Sequence, residues 1–80
     1  MKGFANWLKT QLTENKISQE QLAKALGVNR STIHRWLKAE TAPNVLQWNG
    51  IACFLYLETN NKKELGTILE EMSFSITELK

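Results

Sequence analysis

Ser18–Trp36 reads SQEQLAKALGVNRSTIHRW, two short helical patterns on either side of a Gly27-Val28-Asn29 hinge. Start signals for the first pattern fall in register. Ser18 stands at an N-cap, Gln21 follows three residues later at the capping-box position, and Ile17 and Leu22 are spaced as a hydrophobic staple. Glycine tolerates the left-handed conformation that closes a helix, so Gly27 ends the pattern at Leu26. Asn29 then occupies the N-cap of the second pattern, with Val28 and Ile33 at its staple positions. Each local preference supports the next, which specifies a helix, a tight turn and a second helix.

On the second helix, Arg30, Ser31, His34, Arg35 and Lys38 share one face, and Ile33, Trp36 and Leu37 share the other. On an isolated helix a charged face is usually just solvated. A capped helix and a tight turn immediately before it change that balance, because together they spell a helix-turn-helix. An apolar back and a cationic front suit a helix that lies in the major groove of duplex DNA.

The rest of the chain sets bounds on this reading. Eighty residues make one small domain with a limited core, and 42% apolar with 22% charged residues is ordinary for a soluble globular protein. No stretch resembles a signal peptide or approaches the roughly 20 apolar residues of a membrane span, so a soluble cytoplasmic protein is expected. Charge is uneven along the chain. Residues 1–56 hold seven Lys/Arg against three Glu, a net +4, and residues 57–80 hold three Lys against five Glu, a net −2. A basic head with an acidic tail fits nucleic-acid binding by the head. With one Cys, one His and no Asp, the chain offers no internal disulfide, no metal cluster and no nucleophile–base–orienter set, so neither an enzyme nor a cofactor is expected.

In chain order, Phe4, Trp7, Leu8 and Leu12 mark a first helix ending near Asn15 and Lys16. The second runs from about Gln19 to Leu26 with Leu22, Ala23 and Leu26 inward, and the third from about Arg30 to Lys38. Pro43 places Ala39–Pro43 in a loop. Asn44 and Gln47 repeat the capping-box spacing and open a fourth helix, whose inward stripe is expected to be Val45, Trp48, Ile51, Ala52 and Leu55. Cys53 is expected within or beside the packing surface. Gly50 costs that helix about 1 kcal/mol relative to alanine, and marks either a close contact or nothing. Thr59, Asn60 and Asn61 read as a linker. Asn61 with Glu64 is a start signal for a fifth helix carrying the stripe Leu65, Ile68, Leu69 and Met72. After Ser73, Phe-Ser-Ile-Thr alternates as a short strand does, whereas Ser75 and Glu78 have the spacing that caps a last helical turn, and both remain open. Trp7, Trp36 and Trp48 fall at spacings suited to packing. The resulting class is all-α, about five helices, with residues 1–57 as the reading head and 58–80 completing the same small domain.

From Ser18 to about Leu55 the chain resembles the lambda-repressor/Cro-type (XRE) helix-turn-helix family. The resemblance rests on Ser18-Gln19, Leu22-Ala23, Gly27-Val28, Ser31-Thr32-Ile33, Trp36, Pro43 and the Ile51-Ala52…Leu55 stripe. It implies a bundle of about five helices that binds operator DNA, usually as a dimer, in a regulator of bacterial or phage type. It also implies a phosphate contact at Gln19, backbone or base contacts at Asn29 and Arg30, base-edge contacts at Ser31, His34 and Arg35, and a phosphate contact at Lys38. Two positions depart from the family pattern. Members often close the third helix with Trp-Glu-x-Gly, where this chain has Trp36-Leu37-Lys38-Ala39. Lacking glycine there, the third helix is expected to continue or to leave by another path. The family's Glu often pairs with an Arg on the first helix; the matching positions here are Leu37 and Leu12, and an apolar contact is expected to replace the ion pair.

One recognition helix reads only a few base pairs, so a palindromic site bound by a dimer is expected, with the two helices about 34 Å apart. The fifth helix and tail offer Leu65, Met72, Phe74 and Ile76 as candidate interface residues, with Phe54 and Tyr56 beside them, although the stripe on that helix more often covers its own core. A second function class is an antitoxin-like or regulatory protein-interaction module that retains the helix-turn-helix. The acidic, partly apolar tail motivates it.

Overall fold

The computed structural model describes residues 2–59 and 64–77, and among them five helices and no strand. These are α1 (Lys2–Glu14), α2 (Gln19–Leu26), α3 (Arg30–Leu37), α4 (Val45–Glu58) and α5 (Leu65–Thr77). The helix α2 lies between α3 and α4, and α5 packs across α1 and α4, within an envelope of 30 × 27 × 23 Å.

Side chains from every helix meet in one core. Phe4, Leu8 and Leu12 of α1 join Ile17, Leu22 and Ala23, then Ile33 and Trp36 of α3, Ile51, Ala52 and Leu55 of α4, and Ile68 and Met72 of α5. Phe4 stacks on Trp7 and Trp48, with ring centroids 5.9 and 5.1 Å apart. The Trp7 indole donates to Glu71 Oε1 at 3.1 Å, which ties α1 to α5 at the edge of this core.

Helix starts follow their capping residues. Ser18 Oγ accepts from the Gln21 amide at 3.0 Å while Gln21 Oε1 accepts from the Ser18 amide at 2.8 Å, and Asn44 and Gln47 repeat this at 2.8 and 2.9 Å. Both capping boxes expected from the spacing are present. Asn29 differs: it takes the extended N-cap backbone, but its side chain makes no capping bond.

Three helices end in one type of turn. After α1, the Ile17 amide donates to Leu12 O and the Lys16 amide to Thr13 O. After α2, Val28 donates to Ala23 O and Gly27 to Lys24 O, and after α3, Glu40 donates to Arg35 O and Ala39 to Trp36 O. This is the paired hydrogen bonding of the Schellman motif, and it requires a left-handed residue at its corner. The corners are Lys16, Gly27 and Ala39, at φ +56°, +69° and +60°. The helix α3 therefore neither continues nor takes another exit, contrary to the expectation drawn from Ala39. The alanine is held in a conformation that costs an L-residue about 1–2 kcal/mol, because two hydrogen bonds and the buried Trp36 fix the turn around it.

Other expectations are corrected in α4 and α5. Val45 is 75% exposed, although its spacing placed it on the inward stripe, and Cys53 is exposed. Periodicity misplaces them because α4 is apolar all round, so its sequence does not say which face is buried. Ser73–Thr77 continues α5 and is not a strand. Ser75 is buried and its hydroxyl donates to Met72 O at 2.6 Å, and extending an existing helix costs far less than starting an unpaired strand. The start signal at Asn61 and the cap at Glu78 lie outside the described residues. Gly50 marks a close contact: a Cβ there would sit 2.6 Å from Leu26 Cδ2.

Candidate nucleic-acid interface

The two sides of α3 are sharply different. Ile33 and Trp36 are 0% and 1% exposed, which fixes the roll of the helix about its axis. Arg30, Ser31, His34, Arg35 and Lys38 are consequently all exposed on the far side. Among the described residues no carboxylate pairs with Arg30, Arg35 or Lys38; the Lys24–Glu20 ion pair, at 3.9 Å, lies within α2. Arg35 Nη2 reaches Ser31 Oγ at 3.5 Å, a long, exposed contact that leaves the guanidinium available to another acceptor.

The turn at Gly27 brings the start of α2 beside α3. Gln19, half-buried, lines one shallow surface depression with Arg30, Ser31 and His34, so four of the seven residues singled out in the sequence share one concavity. Asn29 sits at the head of α3, exposed, and its amide is not engaged in capping. Lys38 stands at the C-cap, exposed at the other end. The surface can donate hydrogen bonds from two guanidiniums, an ammonium and side-chain amides, on a helix whose apolar back holds it rigid.

The fold disperses the four interface candidates on α5. Met72 is 0% exposed in this chain's own core and cannot meet a second copy, a correction to its selection from the stripe. Leu65 is half-buried against the same core, and Phe74 is 65% exposed beside a groove between α1 and α5. The side chain of Ile76 lies outside the described residues. Phe54 and Tyr56 are partly buried against the core.

A model of the helix-turn-helix family matches residues 8–55, from the middle of α1 to the last buried residue of α4. The chain belongs to the lambda-repressor/Cro-type (XRE) helix-turn-helix family. No curated protein and no solved structure matches it. The XRE type is a family of DNA-binding regulators, typically non-enzymatic, and among the described residues no helix is long and apolar enough to cross a membrane.

Within the XRE frame, the two departures have local structural answers. Leu12 is buried in the core, and Leu37 packs partly buried against the same core cluster. Both positions are thus apolar and at least partly buried, where the family often places charged residues. Ala39 takes the backbone of the missing glycine. Sequence reasoning overlooked one surface feature, the exposed pair Val45 and Leu46 at the head of α4. No local signal marks it, because no charged side chain from Val45 to Leu57 tells the outer side of α4 from the inner.

Proposed function

We propose that the protein is a sequence-specific regulator of transcription that binds double-stranded DNA, acting as a dimeric repressor on a palindromic site in the cytoplasm. The observation that supports this most is the division of α3 into a buried apolar back and an exposed cationic front. Residues 1–57 form the reading head, and 58–80 complete its core. Arg30 and Arg35 each grip the O6 and N7 of a guanine, a contact that discriminates by about 1–3 kcal/mol per base. Ser31 and His34 read neighbouring base edges. Gln19, Asn29 and Lys38 hold phosphates and set the register, supplying affinity that falls with salt.

Selection of duplexes from a random pool at two salt concentrations tests the proposal, and a palindromic consensus is expected. Arg35→Ala should then flatten the preference at one position of each half-site. Lys38→Ala should weaken every duplex alike and lower the salt slope by about 1. If Arg35→Ala weakens all duplexes equally and leaves the preference intact, Arg35 is not a base reader. Failure to bind any duplex at low salt would defeat the proposal as a whole.

A further inference from the structure

Three helices end in left-handed corners, and three different residues fill them. Gly27, at φ +69°, has no side chain to hinder it, and Ala39, at φ +60°, has only a Cβ. Lys16, at φ +56° in the turn between α1 and α2, carries a long charged side chain. Glycine or asparagine usually takes such a corner, because a Cβ there crowds a carbonyl oxygen. The turn asks nothing of the lysine side chain. Its hydrogen bonds run from the Lys16 and Ile17 amides to Thr13 O and Leu12 O, and the buried Leu12 and Ile17 pin it to the core. Nor does the rest of the chain engage the ammonium. Lys16 is exposed and, among the described residues, its side chain makes no ion pair or hydrogen bond; Glu20 pairs instead with Lys24. A cation serving the dipole of α1 could stand unstrained in the last turn of that helix, which holds no basic residue.

We propose that Lys16 is a further phosphate-binding residue, whose ammonium holds the DNA backbone beside the contact made by Gln19. Gln19 lies three residues on and lines the depression shared with Arg30, Ser31 and His34. Three peptide steps span at most about 11 Å, which sets the Lys16 backbone at the rim of the reading surface. Ala39 shows that strain alone does not mark a site, since packing around Trp36 holds that corner and a methyl group has no ligand to bind. At Lys16 the strain coincides with a charge that nothing in the chain uses, and a strained conformation is characteristically retained where the residue has a function. The footprint on DNA thereby extends from α2 and α3 to the turn after α1. This inference rests on the DNA-binding reading given above. It adds a contact that supplies affinity and carries no sequence information.

The test measures the affinity of the full chain for a duplex selected from a random pool and for an unrelated duplex, over a range of salt, alongside the melting temperature. Lys16→Gly and Lys16→Asn suit a left-handed corner and remove the charge, whereas Lys16→Arg keeps it. Lys9→Ala removes another exposed lysine, on α1, and controls for net charge. Lys16→Gly should melt roughly 4–8 °C above the wild type, through relief of the corner, and yet bind both duplexes more weakly. The slope of log K against log salt should fall by about 0.9, the share of one phosphate, which is a loss of roughly fivefold to tenfold at 0.1 M salt. Lys16→Asn should lose the same affinity and slope. Lys16→Arg should retain both, and Lys9→Ala should leave the slope unchanged. Wild-type slopes in the glycine and asparagine variants overturn the proposal and leave the DNA-binding reading standing. An equal loss in Lys9→Ala overturns it too, since the effect would then belong to net charge. A glycine variant that melts below the wild type would give the lysine a role in the turn itself, a third way for the proposal to fail. A wild type that binds no duplex at low salt defeats the DNA-binding reading, and this inference with it.

Discussion

The turns after α2 and α3 are built alike and spelled differently. Each has two amide donors reaching back over the last helical turn and one residue near φ +60° to +70°, but the corner is Gly27 in one and Ala39 in the other. At Gly27 the residue type announces the turn, and at Ala39 the surrounding structure imposes it. The comparison teaches that the helix-ending glycine is not the cause of this turn. It removes a backbone penalty of about 1–2 kcal/mol, and packing can hold the turn without it.

The strongest way to break the comparison is to remove what holds Ala39 in place. Trp36 is 1% exposed, and its carbonyl accepts from the Ala39 amide. Trp36→Ala should cost about 3–5 kcal/mol, the usual loss for a large aromatic in a core. Urea unfolding measures it. A cost under about 1 kcal/mol would mean that the turn is not set by the packing above it.

Swapping the corner residues is the sharper test. A Cβ on Gly27 would meet nothing within 4 Å, so Gly27→Ala isolates the backbone penalty, and it should destabilise by about 1–2 kcal/mol. Ala39→Gly should do the reverse and stabilise by about 1 kcal/mol, a rise of about 4–8 °C in Tm for a chain of this size. The two corners close different helices, so the paired variant should show near cancellation. An Ala39→Gly chain less stable than the wild type would show that the end of α3 is not strained.

These turns also explain how much of the protein could be read from its residues. Between Ser18 and Trp36 every signal is local: a cap, a staple, a glycine and a period of 3.6, so the sequence places α2 at its observed bounds and the front of α3 on the surface. Past Trp36 the local signals conflict with the fold. Alanine gives no sign of a left-handed corner, and an α4 with apolar residues on every side gives no sign of which side faces inward, so Val45 and Cys53 are misplaced. The alternation at Phe74–Thr77 suggests a strand only if the helix already running from Leu65 is ignored. The cationic residues of the site were legible because Ile33 and Trp36 fix the roll of α3. The exposed face of α4 was not, because burial depends on contacts with α2 and α5 that are distant in sequence.

The smallest expected effect on stability lies at the other end of the same two helices. Ser18 and Asn29 both hold N-cap positions, yet only the Ser18 side chain makes the capping bond. Ser18→Ala should therefore cost about 1 kcal/mol, a typical loss for a bonded cap. Asn29→Ala should change unfolding by no more than about 0.5 kcal/mol, since no side-chain hydrogen bond is lost and the site is exposed. If Asn29 serves DNA rather than α3, its removal should instead weaken duplex binding, with little change in melting temperature. The reverse pattern, a loss of stability with DNA affinity intact, would return Asn29 to a capping role. In that case the two helix starts would be equivalent after all, and the side-chain amide at the head of α3 would be no part of the reading surface.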